Sequence, residues 1–186
     1  MTENTIFERI DYVQKQLSQD EYENCKFINC NFHQSSLLNI SFRECIFDSC
    51  DFSLASLKNT VLKEVKFLNC KLLGVQFDEC NPFLFSVGFE NCQLKLAVFH
   101  KVKLKKTEFK NCNLQETDFT EADMTSSKLF NSDLQKAIFN NTILEKANLS
   151  SAYHYSIDPE TNRIRNAQFS STGIAGLLDK YNIIIE

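Results

Sequence analysis

Eight cysteines and three histidines are the residues of this 186-residue chain best suited to ligate a metal, attack an electrophile or cross-link the chain. A zinc site wants paired Cys or His ligands two to four residues apart. Cys25, Cys30, Cys45, Cys50, Cys70, Cys80, Cys92 and Cys112 contain no Cys-x-x-Cys, and the close pairs are Cys-x4-Cys. His33, His100 and His154 stand far apart, and their positions suggest no Ser/His/Asp arrangement. Four glycines leave little from which to build a phosphate-cradling loop, and neither EF-hand nor zinc spacing occurs. The expectation is therefore no catalytic, cofactor-binding or metal-ligating residue, with an enzyme the last of the function classes.

The composition points instead to a packed interior. Hydrophobic residues are 43% of the chain and aromatics 12%, which excludes intrinsic disorder. No run of about 18 apolar residues exists to span a membrane as a helix. The start, Met1-Thr-Glu-Asn-Thr, lacks the charged and apolar regions of an export signal, so the expected location is the cytoplasm, with reduced thiols.

The elements that position these side chains come from a repeat of five. Every fifth residue from Tyr22 to Phe77 is Tyr, Phe or Leu. The register breaks, resumes at Phe89 and runs to Leu149, adding one Met at 124. These 25 positions hold 12 of the 17 phenylalanines and no polar residue. Two residues before each lies a small one, Cys, Ser, Thr, Ala or Val, with Asp20 and Ile40 the exceptions. A period of 3.6 marks a helix and a period of 2 a strand. Five, with two inward residues two apart, describes a short extended segment and a turn on successive sides of a tube.

This pattern resembles the pentapeptide-repeat family over about residues 22–151. The resemblance implies an all-β fold, a right-handed quadrilateral β-helix with four units per turn, hence about six turns. Residues twenty apart should then stack: Phe27, Phe47 and Phe67; Phe99, Phe119 and Phe139; Leu94, Leu114 and Leu134. All eight cysteines fall in the small inward class and read as buried thiols behaving as small hydrophobes. Disulfides are not expected, because stacked side chains run parallel. Asn29, Asn39, Asn59, Asn69, Asn91, Asn111, Asn131 and Asn141 recur at the turns, where Asn tolerates left-handed backbone and bonds its own turn. A tube with a filled interior is expected to have no pocket, so function should lie on its outer faces.

Three parts follow. Residues 1–21 read as an N-terminal cap, because the large-apolar phase persists at Phe7, Tyr12 and Leu17 while the small class fails at Ile10 and Lys15. An imperfect first turn and a short amphipathic helix are the alternatives. Residues 22–151 form the β-helix in two blocks, 22–78 and 87–151, joined by a kink at 79–88 that holds Pro82 and Gly88. Residues 152–186 are a C-terminal cap and dimerisation segment, with one further unit at 167–169, a short helix from Ser171 and a strand at 183–185.

Charge is the remaining clue. The net charge is −4, yet residues 22–151 carry 15 basic and 15 acidic side chains. Lys101, Lys103, Lys105, Lys106 and Lys110 cluster, and Glu116, Asp118, Glu121 and Asp123 follow on the next faces. Direct nucleic-acid binding is not expected of a mildly acidic chain with one lysine cluster.

The tail sharpens the resemblance. Ile157-Asp-Pro-Glu-Thr-Asn-Arg-Ile, the unit at 167–169, Gly176-Leu-Leu-Asp-Lys-Tyr-Asn-Ile and the join Asn81-Pro-Phe-Leu-Phe-Ser look like Qnr-type quinolone-resistance proteins and the related microcin immunity protein. That implies a homodimer through Ile174, Leu177, Leu178, Tyr181, Ile183 and Ile185. It also implies a rod that imitates duplex DNA and binds DNA gyrase or topoisomerase IV, conferring quinolone or toxin resistance in some relatives. Mimicry here would rest on shape and a local acidic strip, Glu116, Asp118, Glu121 and Asp123. Phe83 and Phe85 cannot both point into the tube, which makes them a second candidate contact. The competing expectation is a general interaction scaffold without a topoisomerase partner; neither needs a membrane or a small-molecule substrate.

Overall fold

The computed structural model describes residues 1–17 and 20–184. Its chain winds as a parallel β-solenoid of about eight turns, with four walls per turn. Each five-residue unit is too short for more than one extended segment, so strands are two to four residues long and every unit ends in a corner. Wall one is a nine-stranded parallel sheet running from Ile6–Glu8 through Lys26–Ile28, Ile46–Asp48, Val65–Leu68, Val87–Glu90, Glu108–Lys110, Lys128–Phe130 and Asn148–Leu149 to Gln168–Phe169. Wall four begins as a four-stranded sheet of Thr2–Glu3, Glu21–Glu23, Ser41–Arg43 and Val61–Lys63. Walls two and three are ladders of single bridges, such as Asn31↔Asp51↔Lys71↔Gln93↔Asn113↔Asp133 and Gln76↔Val98↔Asp118↔Ile138.

Partners in wall one lie twenty residues apart, as in Phe27↔Phe47↔Phe67 and Phe109↔Leu129. The one exception in that wall is Phe67↔Phe89, where the join adds two residues. The expected ring columns form. Phe27 to Phe47 is 4.8 Å, Phe47 to Phe67 5.3 Å, Phe99 to Phe119 5.4 Å and Phe119 to Phe139 5.3 Å between centroids, all stacked. The columns also run through the join, since Phe67 stacks on Phe89 at 5.4 Å and Phe77 on Phe99 at 4.6 Å. Leu94, Leu114 and Leu134 are fully buried on wall two.

The solenoid is longer than the six turns expected from residues 22–151. In residues 1–21, Thr2–Glu3 pairs with the strand of Tyr22, and Ile6–Glu8 with that of Phe27. Phe7 stacks on Phe27 at 4.7 Å and Tyr12 on Phe32 at 4.6 Å. The small-residue rule lapses at Ile10 because no turn lies beneath to crowd it. At the other end Gln168–Phe169 pairs with Asn148–Leu149, which carries the solenoid beyond residue 151. The helix expected from Ser171 is two short 3-10 turns, Ile174–Leu177 and Asp179–Tyr181. A regular helix is displaced by close backbone contact: the Ile157 N–H donates to Gly176 O at 2.9 Å, and a Cβ on Gly176 would overlap the Tyr155 carbonyl. Ile183 and Ile184 carry no strand, and Ile185 lies outside the described residues.

All eight turn asparagines adopt positive φ, between 47° and 63°. Among the described residues none of these side chains bonds its own turn; Asn59 donates its Nδ2 to Asn39 one turn earlier at 2.6 Å, while Asn69 donates to Asp48 at 3.1 Å. Asn131 donates to Asn111 at 3.3 Å, Asn111 to Asn91 at 3.0 Å and Asn91 to Asn69 at 3.1 Å. The bonds to a unit's own backbone come from a different position, the residue before the large one. Asp51, Asn113, Asp123 and Asn148 each accept from the N–H two residues on.

Candidate functional site

The residues chosen from the sequence as an acidic strip do not form a bare one. Glu116 and Glu121 sit at corners with φ of 56°, while Asp118 and Asp123 lie on walls three and four. They wrap around one turn, directly over Lys95 and the lysine cluster of the turn before. Lys95 meets Glu116 at 3.0 Å, Lys101 meets Glu121 at 3.6 Å and Lys105 meets Asp123 at 3.2 Å. Asp118 accepts the Thr120 N–H at 2.8 Å. Burial pushes the Asp123 carboxyl up, but hydrogen bonds from Thr125 and then Lys105 outweigh it and leave it below the usual range. A separation near twenty in sequence is one turn in space, so two blocks of opposite charge become a ladder of exposed ion pairs.

Carboxylates without such partners lie elsewhere. Glu21, Glu23, Glu44 and Glu64 occupy wall four of the first block and the corner beside it, and none makes an ion pair among the described residues. Glu44 and Glu64 are one turn apart at equivalent corners, with φ of 52° and 55°. The signal was present in the sequence as an acidic recurrence at twenty, but a scan for runs of charge passes over it.

At the join the two phenylalanines part company. Phe83 is 71% exposed, beside exposed Leu84. Phe85 is half-buried and meets the Phe77 ring edge-on at 6.5 Å. The Phe83 N–H is held by Asn81 Oδ1 at 2.9 Å, so the bulge has a defined turn rather than a loose loop. A surface cavity of about 130 Å³ opens beside it, where none was expected.

The C-terminal segment presents Ile174, Tyr181 and Ile183 to solvent, with Leu178 half-buried. Leu177, grouped with them from the sequence, is buried in the core. Two anchors fix the segment: Lys180 reaches Asp158 at 2.8 Å and Glu160 at 2.5 Å, and the Tyr181 hydroxyl donates to Glu160 at 2.9 Å.

The cysteines are buried and unpaired. Cys30, Cys50, Cys70, Cys92 and Cys112 form one row, which Ser132 continues. Their role as mere small hydrophobes was incomplete. Cys70 Sγ donates to Phe47 O at 3.3 Å and Cys92 Sγ to Phe67 O at 3.3 Å, in each case the carbonyl of a large residue one turn earlier. Burial pushes the Cys45 thiol up to about 11 and the Cys80 thiol higher still. Such thiols are poor nucleophiles at neutral pH. No group of three or more His, Cys, Asp and Glu side chains among the described residues is arranged to hold a metal ion. His154 Nδ1 lies 2.9 Å from Asp133, while His33 and His100 face outward on different walls. No described helix is long and apolar enough to cross a membrane.

A four-walled parallel solenoid with a filled interior and ion-paired outer walls is a structural class in which surfaces, not clefts, meet partners. The sequence matches the model of the pentapeptide repeat region over residues 21–83 and 74–149, and the chain belongs to that family. No curated protein sequence matches it. Among solved structures it is similar to QnrB1, a plasmid-mediated fluoroquinolone resistance protein, at 17% identity and a TM-score of 0.55, over 97% of this chain and 99% of that one. It is also similar to HetL, a pentapeptide repeat protein involved in heterocyst differentiation regulation from the cyanobacterium Nostoc, at 17% identity and a TM-score of 0.67, over 91% and 85%.

Proposed function

We propose that this pentapeptide-repeat protein acts by binding and not by catalysis, and that its partner is a type II topoisomerase, DNA gyrase or topoisomerase IV. The observation that carries the reading is the rod itself. Eight turns at about 4.8 Å make roughly 40 Å of rigid, side-chain-filled cylinder, which offers a partner only its outer walls. The fold shared with QnrB1 along nearly the whole of both chains supports a similar mode of use. Duplex DNA carries one charge per about 1.7 Å, so shape contributes more to mimicry here than charge does. The acidic contribution falls to Glu21, Glu23, Glu44 and Glu64 more than to Glu116, Asp118, Glu121 and Asp123, whose charges are offset by the lysines beneath three of them. Phe83 and Phe85 supply an apolar contact at mid-rod. In this reading the protein works in the cytoplasm as a dimer through Ile174, Leu178, Tyr181 and Ile183.

The test is a supercoiling and cleavage assay with purified gyrase, with and without a fluoroquinolone. Inhibition or rescue at micromolar protein is expected, and neither would end the topoisomerase reading. Charge reversal at Glu44 and Glu64 should weaken the effect more than reversal at Glu116 and Glu121. A monomeric mass at micromolar concentration would refute the dimer.

One observation favours a second reading, a general interaction scaffold without a topoisomerase partner. The solenoid has no net charge over 22–151, and its lysine and glutamate rows neutralise one another. Capture of a non-topoisomerase partner together with silence in the gyrase assay would favour it.

A further inference from the structure

The two residues added at the join leave a hollow beside them. The wall-four sheet stops at Val61–Lys63, and pairing on that wall resumes only at Lys103↔Asp123. Between them Phe85 takes the place of a large buried residue yet stays half-buried. The resulting cavity of about 130 Å³ has an apolar floor of Phe77, Cys80, Pro82, Phe85 and Val102. An apolar cavity of about 150 Å³ accommodates benzene, so this one suits a branched aliphatic group.

Its rim carries two opposite charges on adjacent turns, Asp78 below and Lys103 above. Both are exposed, and neither makes an ion pair among the described residues. Lys101 shares the rim but is held by Glu121 at 3.6 Å, and His100 stands one turn above Asp78. An apolar hollow between an unpaired carboxylate and an unpaired ammonium complements a ligand that is apolar at one end and zwitterionic at the other. We propose that this cavity at the join binds a free α-amino acid with a branched apolar side chain, its ammonium directed to Asp78 and its carboxylate to Lys103. The proposal stands apart from any topoisomerase partner.

The test is an NMR titration of the full chain, following the Val102 methyl resonances, with three probes of one shape. L-leucine carries both charges, 4-methylpentanoate lacks the ammonium and 3-methylbutylamine lacks the carboxylate. Leucine should give a saturable shift with a Kd of about 1 mM, and each singly charged probe should bind about fivefold more weakly. Asp78→Asn should erase the advantage of leucine over 4-methylpentanoate alone, and Lys103→Met its advantage over 3-methylbutylamine alone. Both side chains are exposed, so neither variant threatens the fold. No saturable shift up to about 20 mM leucine, well beyond the expected Kd, equal binding of the three probes, or leucine binding unchanged in both variants would overturn the proposal.

Discussion

The Thr142 hydroxyl donates 2.8 Å to the carbonyl oxygen of Phe119, one turn earlier in the solenoid, and both residues lie in the interior. Thr60 to Leu37 at 2.8 Å and Thr117 to Leu94 at 2.9 Å repeat the geometry, and Ser132 and the cysteines reproduce it at longer range. The small inward position is therefore a place for a small hydrogen-bond donor as well as for a small volume. Replacing Thr142 by Val keeps the volume and removes one of the two bonds to that carbonyl, which still accepts the Ala122 N–H at 3.0 Å, and should cost about 0.5–1.5 kcal/mol. Thr142→Ser keeps the bond and loses a buried methyl instead. Urea midpoints of the two variants decide the matter; a Thr142→Val midpoint equal to that of the unaltered chain would assign the position to volume alone.

Packing has its own signature in the ring columns. Phe119 lies between Phe99 and Phe139 at 5.4 and 5.3 Å and is fully buried. Parallel strands on every side prevent the tube from closing over a missing ring. Phe119→Ala should cost about 3–5 kcal/mol. Phe7 is half-buried at the open end, with a stacked partner, Phe27, on one side only. Phe7→Ala should cost well under half as much. Comparable losses in denaturant unfolding would contradict a column whose strength grows inward.

The thiols test the interior from outside. Seven of the eight are at most 2% exposed, and Cys80, beside the cavity, is 6% exposed. A thiol-specific reagent at neutral pH should label the native chain slowly, at Cys80 first, and label all eight only after denaturation. Burial holds Cys45 at about 11, so its own thiolate is scarce at pH 7. Fast native labelling within the row of Cys50, Cys70 and Cys92 would mean that the solenoid opens locally.

How much of this was legible beforehand depends on range. The ring columns were, because Phe27, Phe47 and Phe67 announce a twenty-residue turn through a strict period of five. The first turn was missed at Ile10 because crowding is absent at an open end, where a large residue is harmless. The acidic strip was misjudged for the opposite reason: Glu121 and Lys101 are distant in sequence and adjacent in space, so a linear reading separates charges that the winding pairs. The C-terminal helix failed at Gly173 and Gly176, where close approach to Tyr155 replaces the helical ladder. The cavity arises from a count of two extra residues, and no residue type signals it.

The tail's docking should depend on pH with a sign set by its ion pairs. A hydrogen bond from Lys180 lowers the Asp158 carboxyl, and bonds from Lys180 and then Tyr181 lower Glu160; Lys180 is raised in return, first by Asp158 and then by Glu160. A lowered carboxyl contributes fully above its ordinary range and loses that contribution as pH falls through the lowered value. A raised amine contributes below its ordinary value and loses it as pH climbs through the raised one. Docking should therefore hold across neutral pH and fail on the acid side, at a pH below the ordinary carboxylate range. Hydrogen exchange at Ile174–Leu177, taken relative to the intrinsic rate at each pH, reports it, and should quicken in acid while the wall-one amides stay protected, because burial raises groups such as the Tyr12 phenol and the Cys45 thiol and keeps them neutral there. Lys180→Met should bring the same quickening at pH 7. Exchange at 174–177 that is indifferent both to acid and to Lys180→Met would show that Leu177 and the Ile157 to Gly176 bond suffice to hold the segment.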